Sequence, residues 1–294
     1  MKRLRDIGED ALVERVLRGF SGEGLAVGPG DDCAVVDEGG PRLRLLKTDA
    51  IVEGVHFLPE TPASKVGWKA VARVLSDFAA MGGGPERLLV TLAVDPERPV
   101  AWVDGLYRGI RKCLGRHGGV LAGGETSSAP SGAVISVAGE GSVARRGLAL
   151  RSGGQPGDVL AVTGRLGGSI RGRHLDFTPR LAEGRWLGPR VSAMMDLSDG
   201  LAKDLPRLAT ASGCGFELVA EAVPRTRGCS IEAAIGDGED YELLVAVPPR
   251  RWRRLALDWP EDFAPLVAIG RLSEQGGELA GGWDHFQPPG SSKE

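Results

Sequence analysis

Two adjacent carboxylates, Asp31 and Asp32, follow a glycine turn and precede an apolar run in residues 27–36. Gly28 and Gly30 can adopt backbone angles that other residues avoid, so this turn can be tight. Carboxylate oxygens suit Mg²⁺ or Ca²⁺, and a pair of them at a rigid turn beside a strand is a candidate cation site. The same dipeptide also occurs in ordinary turns, so this stretch alone leaves both interpretations open.

Further acidic residues stand at turns or near the ends of predicted elements, where function tends to concentrate. They are Asp49, Asp77, Glu125, Asp196, Asp199 and Asp240. Asp77 lies in a mostly apolar predicted helix, where a charge is costly to bury unless it is paired or binds a metal. Each of these residues alone is explained as a cap, a turn residue or a solvated charge. Together they suit phosphate transfer between two anionic reactants, which needs several cations with one or two carboxylates each.

Two common phosphate-handling signatures are absent from the sequence. The glycines at positions 167 and 172 are followed by Arg173, so they do not form a Gly-x-x-x-x-Gly-Lys phosphate loop. The sequence also lacks the His-Arg-Asp and Asp-Phe-Gly motifs of protein kinases. A phosphotransferase with this sequence therefore belongs to another lineage.

Composition places the chain among globular proteins. Its 294 residues allow two domains of ordinary size, and it is 42% hydrophobic and 26% charged. The net charge of −3 gives no reason to expect nucleic acid as a partner. The four cysteines are scattered, which favours reduced thiols in a cytoplasmic protein. We expect no membrane association, because no apolar run approaches the roughly 18 residues of a membrane span.

Hydrophobic periodicity predicts the elements that carry these residues in the first half of the chain. Helices are predicted at 9–20, 63–81 and 100–117. Strands are predicted at 42–48, 88–94, 120–122 and 133–137, with a short apolar segment at 51–57. Helices and strands do not alternate strictly, which indicates an α+β N-terminal domain.

A turn-rich segment near residues 145–156 predicts a division into an N-terminal domain of residues 1–145 and a C-terminal domain of residues 146–294. In the second half, strands are predicted at 159–163, 216–219, 241–247 and 266–269, helices at 200–212 and 250–257, and an element start at 192–197. This mixture favours an α/β or α+β C-terminal domain.

Several motifs occur in the same order as in the thiamine-monophosphate kinase family, which the chain resembles from about residue 20 to 286. They are GPGDDCA (28–34), TD (48–49), GVHF (54–57), LSDFAAMG (75–82), DLSDGL (196–201), GEDYEL (238–243) and GWDHF (282–286). The wider superfamily includes aminoimidazole-ribonucleotide synthetase, selenophosphate synthetase and a hydrogenase maturation factor.

The resemblance implies phosphorylation of thiamine monophosphate to thiamine diphosphate by ATP, the last step of thiamine diphosphate biosynthesis. It implies direct in-line transfer assisted by several Mg²⁺ ions, with ATP as co-substrate and no protein nucleophile. It also implies a homodimer, formed through a mixed or antiparallel sheet of the α+β N-terminal domain, which binds ATP and metal. The C-terminal domain is expected to contribute phosphate and substrate contacts.

The resemblance also implies a role for each residue that matches a motif. The implied metal ligands are Asp32, Thr48, Asp49, Asp77, Glu125, Asp196 and Asp199. The implied ATP contacts are Tyr107, Gly124, Glu125, Arg151 and Ser198. The implied contacts to thiamine monophosphate are His56, Glu239 and Trp283. The indole of Trp283 is able to stack on a flat cationic ring.

Four features depart from the family pattern. Glu125 stands where the family has aspartate, Lys47 where serine or threonine is usual, and Asp237 where glycine is usual. The segment 164–179 is shorter than expected. We hypothesise that the positive charge of Lys47 partly substitutes for metal charge.

These departures leave two alternatives open. The shortened segment leaves room for a different ATP-dependent small-molecule kinase or synthetase on the same scaffold. Glu125 is the best support for a paralogue that binds nucleotide without turnover, although the rest of the aspartate set argues against that interpretation.

Overall fold

The computed structural model describes residues 2–20 and 22–286. The chain forms two compact units, each assembled from separate stretches. The first unit contains residues 32–149 and 172–189, and the second unit contains the described parts of residues 1–31, 150–171 and 190–294. The division into domains of residues 1–145 and 146–294 stays a prediction.

Seven α-helices and ten β-strands are found in the described residues. The helices are α1 (Gly8–Leu17), α2 (Ala63–Ala80), α3 (Val100–His117), α4 (Leu181–Leu187), α5 (Leu201–Ala211), α6 (Ile231–Gly236) and α7 (Pro249–Leu257). The strands are β1 (Ala34–Val36), β2 (Arg42–Val52), β3 (Gly84–Val94), β4 (Val120–Ser128), β5 (Ala133–Ala144), β6 (Val159–Thr163), β7 (Ala193–Asp196), β8 (Gly215–Leu218), β9 (Leu243–Val247) and β10 (Leu266–Ser273).

The sheet of the first unit has the strand order β1-β2-β5-β3-β4. Strands β3 and β4 are parallel and the other neighbours are antiparallel, so the sheet is mixed. Helix α2 is buried at nearly every residue from Val66 to Ala80, because the sheet, α3 and α4 all pack against it. A β-carbon at Gly67 would lie only 2.0 Å from the carbonyl oxygen of Leu106, so α2 and α3 cross too closely for a side chain there.

The sheet of the second unit has the order β7-β9-β6-β10-β8, and all of its neighbouring strands are antiparallel. Strands β7 and β9 are buried at every residue. The apolar run of β9 suits such a strand, because neither of its faces meets solvent. Leu160, Leu205 and Leu244 belong to the hydrophobic core around this sheet.

The structure confirms the long helices α2 and α3 to within one residue of the predicted ends. Other predictions were wrong in extent: β3, β5 and β10 are each at least four residues longer than predicted. Helix α1 ends at Leu17 rather than at residue 20, and β4 runs through two glycines to Ser128 rather than ending at residue 122. The segments predicted at 42–48 and 51–57 are one strand, β2, followed by a turn.

The mixed and antiparallel sheets with their packed helices confirm a two-domain α+β architecture at this level of description. In the described part of the chain, no helix combines the length and the apolar character needed to cross a bilayer.

Candidate functional site

Asp32 and Asp77 form a buried acidic pair in the first unit. Asp32 is 1% exposed just before β1, and Asp77 is 5% exposed in the last turn of α2. Their carboxylate oxygens lie within 4.8 Å of each other. Two like charges held this closely away from water repel each other and lose hydration, so the pair favours a bound cation. All-oxygen donors of this kind suit Mg²⁺.

Strand β2 adds charged residues on the face that packs against α2. Side chains alternate along a strand, so Lys47 and Asp49 point to one face and Thr48 to the other. Lys47 Nζ lies 2.8 Å from Asp77 Oδ1. Arg73 on α2 lies with its Nε 3.2 Å from Asp49 Oδ2.

The protonated form of Lys47 is favoured at this position. Burial alone would lower its pKa, but the carboxylates of Asp77 and Asp49 outweigh burial and raise the pKa above its ordinary value. Of the implied ligands, Asp49 and Asp77 thus lie close to Lys47, and Asp32 lies beside Asp77. The exposed side chain of Thr48 lies on the opposite face of β2, so Thr48 could share a cation with Asp49 only through its main-chain carbonyl oxygen.

Glu125 lies at the other edge of the same sheet. Residues Gly124 and Glu125 pair with Val90 and Thr91 of β3, and β4 is exposed at all nine positions. Gly124 must be glycine, because a β-carbon there would lie 1.9 Å from the carbonyl oxygen of Val90. Four strand spacings, ~19 Å along the sheet, separate this edge from β1. Within one chain the structure therefore does not bring Glu125 to the acidic pair.

His56 occupies the turn that follows β2 in the first unit. Its Nδ1 accepts a hydrogen bond from the Val52 N–H at 3.0 Å, so the neutral ring carries its proton on Nε2. Lys69 of α2, which is fully buried, donates to the His56 carbonyl oxygen and to His174 Nδ1, both at 2.7 Å. Tyr107, an implied ATP contact, is half-buried on α3.

Asp196 and Asp199 flank the end of β7 in the second unit. Asp196 is buried at the last residue of the strand, and Asp199 precedes Gly200, the N-cap of α5. Asp199 Oδ2 lies 2.6 Å from Arg207 Nη1 and 3.6 Å from Lys203 Nζ. Two cations of α5 thus lie beside Asp199, whose role as a metal ligand stays a prediction.

Asp204 of α5 belongs to the same cluster, because it contacts both Asp199 and Arg207. It is fully buried and accepts a hydrogen bond from the Asp199 N–H at 3.0 Å, while Arg207 Nη1 lies 3.1 Å from its other oxygen. Burial raises the pKa of Asp204, and the negative charge of Asp199 raises it further. Asp204 anchors the loop that carries Ser198 and Asp199.

A second loop crosses over this one and carries Glu239. The Glu239 N–H donates to the Ser198 carbonyl oxygen at 2.6 Å, and the Tyr241 N–H donates to that of Leu197 at 2.8 Å. Glu239 has a φ of 52° and Tyr241 a φ of 51°, in the left-handed region that residues with side chains seldom adopt. Such strain is held only where the surroundings enforce it, and it clusters at functional sites.

The departure at Asp237 has a structural explanation. Asp237 Oδ2 accepts a hydrogen bond from the Gly168 N–H at 2.8 Å, and Asp240 Oδ2 accepts one from the Gly167 N–H at 2.9 Å. These two carboxylates fix the start of the shortened segment 164–179. Asp240, a candidate for chemistry from the sequence, is thus buried as an anchor of this turn.

Trp283 lies at a cavity of the second unit with a volume of about 730 Å³. The main-chain N–H of Trp283 donates to the Asp199 carbonyl oxygen at 2.9 Å. The cavity is also lined by the cationic Arg151, Lys203 and Arg207 and by two acids, so it offers both signs of charge beside an indole. The main-chain N–H of Arg151 donates to the two carboxylate oxygens of Asp31 at 3.1 and 3.3 Å, which fixes the backbone of Arg151.

Sequence reasoning missed four cations, three of which lie beside acidic residues while Lys69 contacts His56 and His174. They are Lys69, Arg73, Lys203 and Arg207. Lys69 and Arg73 carried a usable signal, because both stand among the apolar residues of a predicted helix, where a cation needs a partner. Lys203 and Arg207 carried a weaker one, spaced four and eight residues after Asp199 on a helix.

Two family models match most of the chain. The model of the AIR synthase related protein N-terminal domain matches residues 30–143, and that of the C-terminal domain matches residues 172–280. A thiamine-monophosphate kinase from Rhodopirellula baltica is 37% identical over 269 residues, with 84% of each chain covered. One from Salmonella typhimurium is 32% identical and covers 96% of this chain and 99% of that protein.

Solved structures agree with these relatives. A structure of AaThiL complexed with AMPPCP and TMP has a TM-score of 0.87 and 30% identity, and covers 97% of this chain and 99% of that chain. The hydrogenase maturation protein HypE in complex with ATP has a TM-score of 0.68 at 19% identity, which shows a shared fold alone. The resemblance predicted from the motifs is confirmed, and this chain belongs to the thiamine-monophosphate kinase family of AIR synthase related proteins.

Proposed function

We propose that this chain transfers the terminal phosphoryl group of ATP directly to thiamine monophosphate, giving thiamine diphosphate and ADP. The buried pair Asp32–Asp77 carries this proposal, because such a pair is costly unless cations neutralise it. The relatives named thiamine-monophosphate kinase support the reaction, as does the neighbour complexed with AMPPCP, an ATP analogue, and TMP.

The oxygen donors of both units fit Mg²⁺. In the first unit Asp32, Asp49 and Asp77 would hold it, and in the second unit Asp196 and Asp199 would do so. Bound Mg²⁺ would supply the positive charge that lets two anionic phosphates approach and that stabilises the transferred group. The remaining work of the chain is positioning, since no nucleophilic side chain is required for direct transfer.

The cavity beside Trp283 suits a ligand with a flat cationic ring and an anionic phosphate. The indole offers its face to the ring, and Arg151, Lys203 and Arg207 offer positive charge to phosphate oxygens. In this proposal Glu239 is presented to the acceptor by a strained backbone that the crossing loops hold in place. His56 contributes an Nε2–H donor in the first unit.

We further infer that the enzyme is a homodimer joined through the open face of the first unit's sheet. Leu46 and Leu89 are 42% and 50% exposed there. Glu125 lies too far along the sheet to share a metal with Asp32 of the same chain, so it would serve the site of the partner copy. The predicted cytoplasmic location stays a prediction from the sequence.

The function is tested by measuring ADP and thiamine diphosphate formed from Mg·ATP and thiamine monophosphate. We expect stoichiometric products, and a loss of about 100-fold or more in Asp77→Asn, which removes one charge from the metal-binding pair. Asp258→Asn is the matched control, because Asp258 forms an exposed ion pair with Arg254 at the end of α7.

The same assay separates the two alternatives. ADP formed only with another phosphate acceptor would assign a different small-molecule kinase. ATP binding without any ADP formation would assign a nucleotide-binding paralogue. Either result would overturn the proposed reaction.

A further inference from the structure

Lys47 stands at the point in the first unit where the carboxylates converge. Its ammonium nitrogen lies 2.8 Å from Asp77 Oδ1, and its side chain is only 22% exposed. Asp77 in turn lies within 4.8 Å of Asp32, measured between carboxylate oxygens. A lysine in this position is a fixed positive charge among metal ligands.

Lys47 belongs to a connected group of charged side chains, in which it faces Asp77 and Asp49, Asp77 adjoins Asp32, and Asp49 pairs with Arg73. Asp32 precedes β1, Asp49 belongs to β2, and Asp77 and Arg73 belong to α2. The three carboxylates and the two cations Lys47 and Arg73 leave a net charge of −1. Without Lys47 the same group would carry −2, which would attract a further divalent cation strongly at this burial.

Space leads to the same conclusion as charge. Mg²⁺ binds carboxylate oxygen at about 2.0–2.1 Å and keeps an octahedral shell of ligands and waters. An ammonium nitrogen 2.8 Å from Asp77 Oδ1 fills the volume in front of that oxygen. The ammonium and a metal ion cannot occupy that volume together.

We propose that the ammonium of Lys47 takes the place of one divalent cation in the Asp32–Asp49–Asp77 group. This inference rests on the proposed function, because it assigns Lys47 a share of the positive charge that phosphate transfer requires. A tethered ammonium carries one charge rather than two, and its remaining N–H groups are able to donate to a phosphate oxygen. Lys47 is therefore a charge-supplying residue that reduces the number of metal ions the site takes up.

The proposal is tested by counting bound metal rather than by activity alone. Mn²⁺ binding to the full chain would be followed by electron paramagnetic resonance of free Mn²⁺, with and without a non-hydrolysable ATP analogue. Lys47→Met keeps the aliphatic stem and removes the charge, and Lys47→Arg keeps the charge. Lys65→Met is the matched control, because Lys65 pairs with Asp176 on the surface.

We expect Lys47→Met to bind one more Mn²⁺ per chain than the parent, and Lys47→Arg and Lys65→Met to bind the parental number. The Mg²⁺ dependence of activity should also become steeper in Lys47→Met, because one more ion must bind. An unchanged or lower Mn²⁺ count in a folded Lys47→Met chain would overturn the proposal. If that variant does not fold, Lys47→Thr supplies the count, since threonine is small and fits a strand.

The test stays distinct from that of the proposed function. If the parent does not form thiamine diphosphate, the proposed reaction is disproved, but the Mn²⁺ counts of the parent and of Lys47→Met can still be compared. If the parent forms thiamine diphosphate but Lys47→Met binds the same number of Mn²⁺ ions as the parent, only the role of Lys47 is disproved.

Discussion

The two five-stranded sheets of the chain differ in how much of each strand is covered. In the second unit β9 is buried at every residue, whereas in the first unit the edge strand β4 is exposed at every residue. An uncovered edge strand beside exposed leucines is a surface that natural proteins seldom leave bare. Both sheets bury a core face, but among the described residues only the first sheet leaves apolar side chains exposed on its other face, which is the face used in the proposed dimer.

The largest effect that tests this comparison is expected from Leu244→Asp in β9. Leu244 has no exposed surface, and a carboxylate there would be buried without a partner. We expect a loss of about 4 kcal/mol or more in unfolding free energy, so that little folded protein is recovered. Urea unfolding followed by circular dichroism measures the loss. A stable Leu244→Asp chain would show that this sheet is less enclosed than described.

The same substitution in the other sheet, Leu89→Asp, should act on association instead. Leu89 is 50% exposed on the open face of β3, so the change should alter chain stability by no more than about 1 kcal/mol. In the proposed dimer it would place two like charges in an apolar interface and shift the dimer to monomer. Analytical ultracentrifugation checks the mass, and a parent that is already monomeric would contradict the interface.

A smaller, pH-dependent effect is expected from Asp37→Asn in the first unit. The Arg145 guanidinium, followed by the Gly39 N–H, lowers the pKa of Asp37 from 3.8 to about 2. The folded state therefore gains stability above the unfolded pKa near 3.8 and loses that gain as pH falls through about 2.

Asp37→Asn should accordingly lower the unfolding midpoint at pH 7, and the difference from the parent should shrink toward pH 2. Thermal unfolding at both pH values measures it. Asp258→Asn serves as the comparison in the second unit, because its Arg254 partner lies one helical turn away on an exposed face. An equal difference at both pH values would show that the Asp37 pair does not act through charge.

Sequence reasoning succeeded where the pattern is local and strong. Helices α2 and α3 have long apolar periodicity, and both were predicted to within a residue of their ends. The glycines 123 and 124 broke the strand pattern of β4, since nothing in the sequence shows that the backbone of Val90 lies against Gly124. Helices α4 and α6 have seven and six residues, which is too few for a helical hydrophobic period to be recognised.

The candidate site was predictable in its residues but not in its arrangement. The motifs named the acidic residues, and Lys47 was noticed as a departure. Its partner Asp77 lies thirty positions further along the chain, so the ion pair depends on how α2 packs on the sheet. The strand order alone places Glu125 at the far edge, and strand order cannot be read from periodicity.

The buried Lys69 links the turn that carries His56 to the shortened segment 164–179. One ammonium group holds both the main chain of His56 and the ring of His174, which belongs to the shortened segment. Trp68, its neighbour on α2, donates to the Phe177 carbonyl oxygen of the same segment at 2.8 Å. An insertion or deletion in this segment would therefore act first on these contacts and, through Lys69, on the turn that carries His56. If His56 contacts the phosphate acceptor as proposed, the length of segment 164–179 is a means of changing the choice of acceptor that is separate from the acidic pair.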